Sequence, residues 1–427
     1  MAEGTTATFQ QHARTGSQEW RAHWPLVLSA MVGLSFGGVP AATLGLFMDP
    51  LHQDFGWSRA QIAAGMTIYA LTTTPLSPFA GALVDKYGER RIALPGIAAF
   101  TIAFAAFGWL SGPYAQWIMS WVFLGLASLM IRSTVWSRAV SGAFSASRGV
   151  ALAVLLSGLS LTQAIAPLFA RWAIDNLGWE VTYPLLSLCW GGLALALLIP
   201  WFRATPSAVH PGADAGTPAA PPAAGGLTLG QAARSSVMWR IALATLLQTA
   251  IGAAIAIHYV PLLIWSGVGR AEAAGIAALL GIGAIAGKLV TGWLIDRVSG
   301  GLIPFICFAM PGVAYFLLWQ GHGSVPALAT ATLIVGYAGG SSLHMTAYLT
   351  TRYAGIAHFG KIFGIISSMM GLGAGIGPLV AGLAYDRTQS YETLLVIGMP
   401  LAFLGGLLVA FLGRYPNFEA QQTSKHP

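Results

Sequence analysis

The stretch Gly81-Ala82-Leu83-Val84-Asp85-Lys86-Tyr87-Gly88-Glu89-Arg90-Arg91 sets a compact charged turn between two long apolar runs. Such a turn is what a two-helix membrane hairpin needs where the chain leaves and re-enters the bilayer. The same chemistry returns in Gly292-Trp293-Leu294-Ile295-Asp296-Arg297 at a constant offset (292 − 81 = 211 and 296 − 85 = 211). The offset reaches well beyond the turn: Arg59-Ala60 maps onto Arg270-Ala271, Gly125 onto Gly336, Gly149 onto Gly360, Pro167 onto Pro378 and Asp175 onto Asp386. One half of the chain therefore repeats the other. A long repeat of membrane helices is the pattern of transporter halves related by an axis along the membrane normal, with a substrate site between them.

The composition supports a bilayer protein. The 427 residues are 56% hydrophobic and 8% charged, with a mean hydropathy of +0.68, which excludes an ordinary soluble chain. The net charge of +7 is scattered at the ends of apolar runs and forms no basic stripe, so a nucleic-acid partner is not expected. Cys189 and Cys307 stand alone in apolar segments and read as small core residues. Residues 1–24 are polar and include acids, so no cleavable signal is expected and the N-terminus stays cytoplasmic.

Twelve apolar segments of about membrane-crossing length can be placed, at roughly 25–47, 60–84, 92–111, 114–138, 148–173, 181–202, 239–264, 271–295, 302–320, 325–350, 360–385 and 391–412. They predict an all-α polytopic membrane protein in two six-helix halves, 25–202 and 239–413. Cytoplasmic segments lie at 1–24, 203–238 and 414–427. With the N-terminus inside, fifteen Lys and Arg fall on the cytoplasmic side against four outside, which orients the bundle with both termini cytoplasmic. The Pro-, Ala- and Gly-rich stretch from Ala204 to Gly226 reads as the linker between halves. Glycine and proline recur inside the spans, as in Gly371 to Gly382 and around Pro75 and Pro167, where small residues let helices approach closely. Trp20, Trp24, Trp57, Trp201, Trp239 and Tyr415, near span ends, read as interfacial anchors.

These residues resemble the major facilitator superfamily, whose loop between helices 2 and 3 reads Gly-x-x-x-Asp-Arg/Lys-x-Gly-x-Arg-Arg. Gly81, Asp85, Lys86, Gly88, Arg90 and Arg91 fit it. Within the superfamily, the stretches from Asp54, from His258 and from Phe359 to Glu392 are similar to the bacterial monocarboxylate transporter and oxalate/formate antiporter group. The resemblance implies secondary transport of a small organic anion by rocking of the two halves. Physically, Asp85 can cap a neighbouring helix N-terminus while Arg90 and Arg91 face anionic headgroups, and the turn reads as a cytoplasmic clasp. Its second copy, Asp296-Arg297, lacks the paired arginines, and Glu89 places an acid inside the first.

Ionisable groups within the spans are costly, about 2.5–3.5 kcal/mol or more each at mid-bilayer, and so mark function. Lys288 lies eight residues before Asp296, about 12 Å from the cytoplasmic end at 1.5 Å per residue. It is read as the anion-binding charge, with snorkelling to the interface as the bland alternative. Relatives that carry carboxylates usually have Arg at this position; a lysine offers a point charge instead of a fork. Arg132 either faces the central cavity or snorkels. His344 lies one residue from its repeat-equivalent position and also reads as cavity-facing. His258 is either a gate residue or a buried structural histidine, and Tyr69 either a packing residue or a donor to substrate. Proton-coupled relatives carry an Asp four residues before the helix 8 cation, where this chain has Ala284, so coupling through His258 or His344, or anion exchange, is expected in place of a carboxylate relay.

A membrane enzyme would need paired intramembrane acids or a His-Glu-x-x-His motif, and ATP coupling a Gly-Lys-Ser/Thr loop, none of which the sequence contains. The expectation is a bacterial inner-membrane, multi-pass carrier of a mono- or dicarboxylate, by proton symport or anion exchange, without cofactor or metal. It is expected to be monomeric, with membrane lipids around it. A drug or metabolite exporter of the same fold is the alternative.

Overall fold

The structure is a computed structural model that describes residues 16–144, 146–202, 226–295, 297, 301–355, 358–413 and 415–416, apart from the side chains of 78, 80–82 and 85. It is a multi-pass helical membrane protein with twelve successive helical spans. Span 1 is Gly16–Phe36 with Val39–Phe55, span 2 Arg59–Tyr87, span 3 Glu89–Ala105 with the short turn Ala106–Trp109, and span 4 Tyr114–Ser128 with Ser133–Ala143. Spans 5 and 6 are Arg148–Leu177 and Trp179–Trp201. Span 7 is Ser236–Ile257 with Tyr259–Trp265, followed by span 8 (Arg270–Ile295), span 9 (Leu302–Gln320), span 10 (Val325–Ala354), span 11 (Phe359–Thr388) and span 12 (Glu392–Ala410). Ten of these are long and apolar enough to cross a bilayer by length and composition. Spans 2 and 10, of 29 and 30 residues, are long enough but less apolar, with Thr67, Thr72, Thr73 and Thr74 in the first and Thr330, Thr332, Thr346, Thr350 and Thr351 in the second. All-helical backbone satisfies its own polar groups, which hydrocarbon cannot do.

Loops between spans are short, so neighbours alternate direction. One face, here called the tail face, carries the start of span 1, the end of span 6, the start of span 7, the end of span 12 and the turns between spans 2 and 3, 4 and 5, 8 and 9, and 10 and 11; the far face carries the turns between spans 1 and 2, 3 and 4, 5 and 6, 7 and 8, 9 and 10, and 11 and 12. At the tail face Gly88 has φ 81°, a left-handed conformation that lets Tyr87 end one helix and Glu89 start the next with no linker. Between the halves, Leu229–Arg234 forms a short helix opened by a Thr228–Gln231 capping box, and Gly226 makes an antiparallel bridge with Gly355. That part of the linker packs, with Ala232 buried; 203–225 lies outside the described residues.

Three spans are interrupted where the sequence predicts continuous helix: span 1 at Gly37-Gly38, span 4 at Arg132, whose ψ of 157° is extended, and span 7 at His258. The first half is held by aromatic packing: Phe47 stacks on Tyr183 at 3.9 Å, and Phe107 meets both Trp117 and Trp121 edge-on. Trp57, read from sequence as an interfacial anchor, is instead buried against Trp117 and Tyr114, whereas Trp24 and Trp239 are exposed. Cys307 is buried as expected, but Cys189 is exposed because its side of span 6 faces outward from the bundle.

The second half packs differently. Spans 8 and 10 meet through reciprocal small residues: a Cβ at Gly287 would run into the Tyr337 carbonyl, one at Gly336 into the Leu280 carbonyl, and one at Gly340 into the Ala284 carbonyl. Backbone against backbone on both sides leaves no room for a side chain, and it fixes the two helices as one unit.

Candidate transport site

A cavity of about 480 Å³ lies between the halves, with walls from spans 1, 2 and 5 on one side and spans 7 to 11 on the other. Lys288 and His344 line it from the joined pair of spans 8 and 10, and Ser160, Gln163, Gln248 and Tyr315 add polar groups to an otherwise largely apolar wall. Lys288 is seven residues from the tail-face end of span 8, about 10 Å in at 1.5 Å per residue. Its Nζ donates across the interface to Ser160 Oγ at 2.8 Å and to the Leu156 carbonyl at 3.1 Å. Among the described residues no acidic side chain pairs with it. A cation satisfied only by neutral oxygens keeps its charge available to an entering anion.

Arg132 and Tyr69 lie elsewhere. Arg132 points back into its own half from the break in span 4, donating to Ser77 Oγ at 2.7 Å and to the Thr73 carbonyl at 3.5 Å. Tyr69 packs edge-on against Trp121, 6.2 Å between ring centres. The structure thus brings together Lys288 and His344, and leaves Arg132 and Tyr69 in the wall of the first half.

His258 belongs to a second site, at the far face. It is fully buried, with Nδ1 3.1 Å from the Tyr391 hydroxyl and Nε2 3.0 Å from the Pro378 carbonyl. A carbonyl only accepts, so Nε2 carries the hydrogen and Nδ1 accepts from Tyr391. The Tyr391 hydroxyl in turn accepts from Arg59, whose guanidinium also donates to Asp49 at 3.1 Å and lies over the Tyr385 ring at 4.0 Å. Asp386 completes the network: its carboxylate accepts from the backbone N–H of Arg59 at 3.0 Å and of Ala60 at 2.9 Å. An acid from span 11 thereby caps the N-terminus of span 2, on the other half, where the helix dipole favours negative charge. Asp49, Tyr385, Asp386 and Tyr391 were not singled out as site residues from the sequence. The offset pairs Arg59/Arg270 and Asp175/Asp386 were the available signal.

At the tail face the polar contacts among the described residues stay within one half. Arg90 donates to the Phe202 and Ile199 carbonyls, both at 2.7 Å, and so caps the end of span 6. Glu89 pairs with Arg138 at 2.8 Å, which accounts for the acid in the basic turn. Arg91 is exposed, and Arg297 lies 4.1 Å over the Trp293 ring. Gly81 and Asp85 sit in the last turns of span 2, which ends at Tyr87, and the side chain of Asp85 is not described; Asp296 lies outside the described residues. The halves therefore meet at the far face and at mid-depth, where Gly375 approaches Ala70 and Gly281 approaches Ala164, and among the described residues no hydrogen bond or ion pair joins them at the tail face.

The Major Facilitator Superfamily model matches residues 25–321 and 266–427. The human protein named monocarboxylate transporter 11 (Homo sapiens) is 26% identical over 90% of this chain and 81% of its own length. The gallate transporter of Pseudomonas putida is 23% identical over 83% of this chain and 86% of its own. Among solved structures, a bacterial homologue of the human lysosomal transporter Spinster, inward-facing and occupied, superposes with a TM-score of 0.68. It is 15% identical and covers 93% of this chain and 94% of that one, a likeness of fold. With the family model spanning both six-helix halves, the chain belongs to the major facilitator superfamily of membrane transporters.

Proposed function

We propose that the protein carries a small organic anion, a mono- or dicarboxylate, by alternating access, with 25–202 and 239–413 as the moving halves and 203–238 as the linker. The tail face is cytoplasmic, as the distribution of Lys and Arg expects, and the conformation is inward-facing: latched at the far face and parted at the tail face. The observation that carries the reading is Lys288, an ammonium in the cavity wall held by a hydroxyl and a carbonyl and, among the described residues, by no acid. A carboxylate entering from the parted side neutralises a charge that is costly at this depth. Two relatives bear the names of a monocarboxylate and a gallate transporter, in the same chemical direction. Gly81, Asp85, Arg90, Arg91, Asp296 and Arg297 act at the tail face in the opposite, outward-facing state, where their turns close on one another. Where protons drive transport, His344 is the histidine with access to the cavity, and His258 serves the far-face network.

Uptake of labelled carboxylates into proteoliposomes tests the site. Lys288→Ala should abolish saturable uptake in a protein that still folds, and Lys288→Arg should retain it, since a guanidinium keeps the charge and adds a second parallel hydrogen bond. An unchanged half-saturation concentration in Lys288→Ala would overturn the assignment. For coupling, His344→Gln should remove the pH-driven component of uptake and leave counterflow exchange; pH-driven uptake that persists would assign the proton elsewhere.

A further inference from the structure

Gln248, on span 7, lines the cavity with an amide that is poorly held. Its Oε1 is buried with no hydrogen-bond partner, and its Nε2 reaches only the Cys307 carbonyl, at 3.4 Å. Buried polar atoms in native proteins are nearly always paired, so an acceptor with no partner among the described residues, on a residue of the cavity wall, can take a donor from a ligand. The weak contact of Nε2 leaves the amide free to turn its oxygen towards the cavity. Tyr315 of span 9 lines the same cavity, is 3% exposed, and makes no hydrogen bond among the described residues. Both residues line the cavity from the wall formed by spans 7 and 9.

The amide and the charge stand on different helices: Gln248 of span 7 reaches the Cys307 carbonyl of span 9, and Lys288 of span 8 reaches across to Leu156 and Ser160 of span 5. The wall near them is apolar, including Leu156, Leu159, Ala284, Pro311 and Met370. A ligand that satisfies both ends needs an anion, an apolar spacer and a donor. A rigid spacer loses less freedom on binding than a flexible chain of the same reach.

We propose that the cavity recognises a hydroxylated aromatic carboxylate, its carboxylate on Lys288 and its ring hydroxyl donating to Gln248 Oε1, with Tyr315 as a second partner. This rests on the carboxylate reading of Lys288 and narrows it. The ring lies along the apolar wall, and the hydroxyl pairs an acceptor that an unsubstituted ring leaves unpaired. Discrimination against the ligand that lacks the donor follows from that unmet acceptor.

Benzoate and 4-hydroxybenzoate share carboxylate and ring and differ only in the donor. With the full-length protein in proteoliposomes, 4-hydroxybenzoate should show a half-saturation concentration about tenfold or more below that of benzoate. Gln248→Leu should bring the two values to within about threefold, and Tyr315→Phe, a milder change, should lower the ratio in the same direction. Equal values in the parent protein, or a ratio that survives both substitutions, overturns the proposal. So does the absence of uptake of both compounds. The Lys288→Ala variant separates this from the parent reading. If uptake of both compounds is lost there while the parent shows no preference, the carboxylate assignment stands and the hydroxyl assignment falls. If uptake survives Lys288→Ala, the carboxylate assignment itself falls.

Discussion

The junction of spans 2 and 11 and the junction of spans 5 and 8 are related by the 211-residue offset, yet they are built to different ends. At mid-depth they match: Gly375 approaches Ala70 in the first, and the equivalent residues, Ala164 and Gly281, approach each other in the second. Towards the far face they diverge. Gly382 packs against the backbone of Arg59 and Ala60, while its equivalent is Arg171, too large for such contact. The first junction closes there and the second leaves a pocket of about 280 Å³ lined by Arg171, Asp175 and Arg270. Asp386 caps the opposite half, whereas its equivalent Asp175 pairs with Arg171 on its own helix. Towards the tail face the order reverses. Lys288 ties spans 8 and 5, and its equivalent in the first junction is Ser77, which serves Arg132. Charge is spent on closing the far face at one junction and on the cavity at the other, so a symmetric scaffold holds an asymmetric machine.

The sharpest way to break this contrast is to remove the close approach at the first junction. Gly382→Leu drives a side chain into the Arg59 and Ala60 backbone, which cannot yield as a side-chain tip would. It should hold the far face open, cutting uptake by more than about tenfold and exposing a cysteine introduced at position 60 to membrane-impermeant thiol reagents added from that side. Uptake at parental level would show that the junction closes without Gly382. Next in size is Asp386→Ala, which removes two charge-assisted bonds and an N-terminal anion. A loss of about 1–2 kcal/mol should shift the balance of the two states roughly 5- to 30-fold towards the far-face-open form, read by the same accessibility assay. The matched change Asp175→Ala, at a residue that caps nothing across the interface, should leave that balance within about twofold. Equal effects of the two alanines would erase the distinction drawn here. The smallest effect belongs to Ser160→Ala. With one of two neutral partners of Lys288 gone, half-saturation should fall by about twofold to threefold, since the substrate then displaces less.

Much of the fold was legible in the sequence because membrane helices announce themselves by length and apolarity, and because the repeat from Gly81 to Gly292 declared the two halves. The interruption at Arg132 was not, since no glycine or proline there flags it; the break at His258 carried a local signal in Pro261, which lacks the N–H that would bond the Ile257 carbonyl. Lys288 stood out because any charge in a span does. Asp386 did not, since its role depends on contact with residues 326 and 327 positions away, and no local pattern says which helix end an acid will meet. Arg132 shows the converse: a conspicuous intramembrane charge whose partners, Ser77 and Thr73, lie within its own half.

The bond from Lys288 to Ser160 and Leu156 also bears on the return stroke of the carrier. When the cavity is empty, the cation that would hold substrate instead moors one half to the other in this conformation. On the proposed carboxylate assignment, substrate would compete for the same ammonium and slip the mooring. Loaded molecules should then reorient faster than empty ones, and preloading vesicles with unlabelled substrate on the trans side should accelerate labelled flux. Ser160→Ala, with its mooring weakened, should show less of that acceleration, a difference in rate visible even where the affinity barely moves.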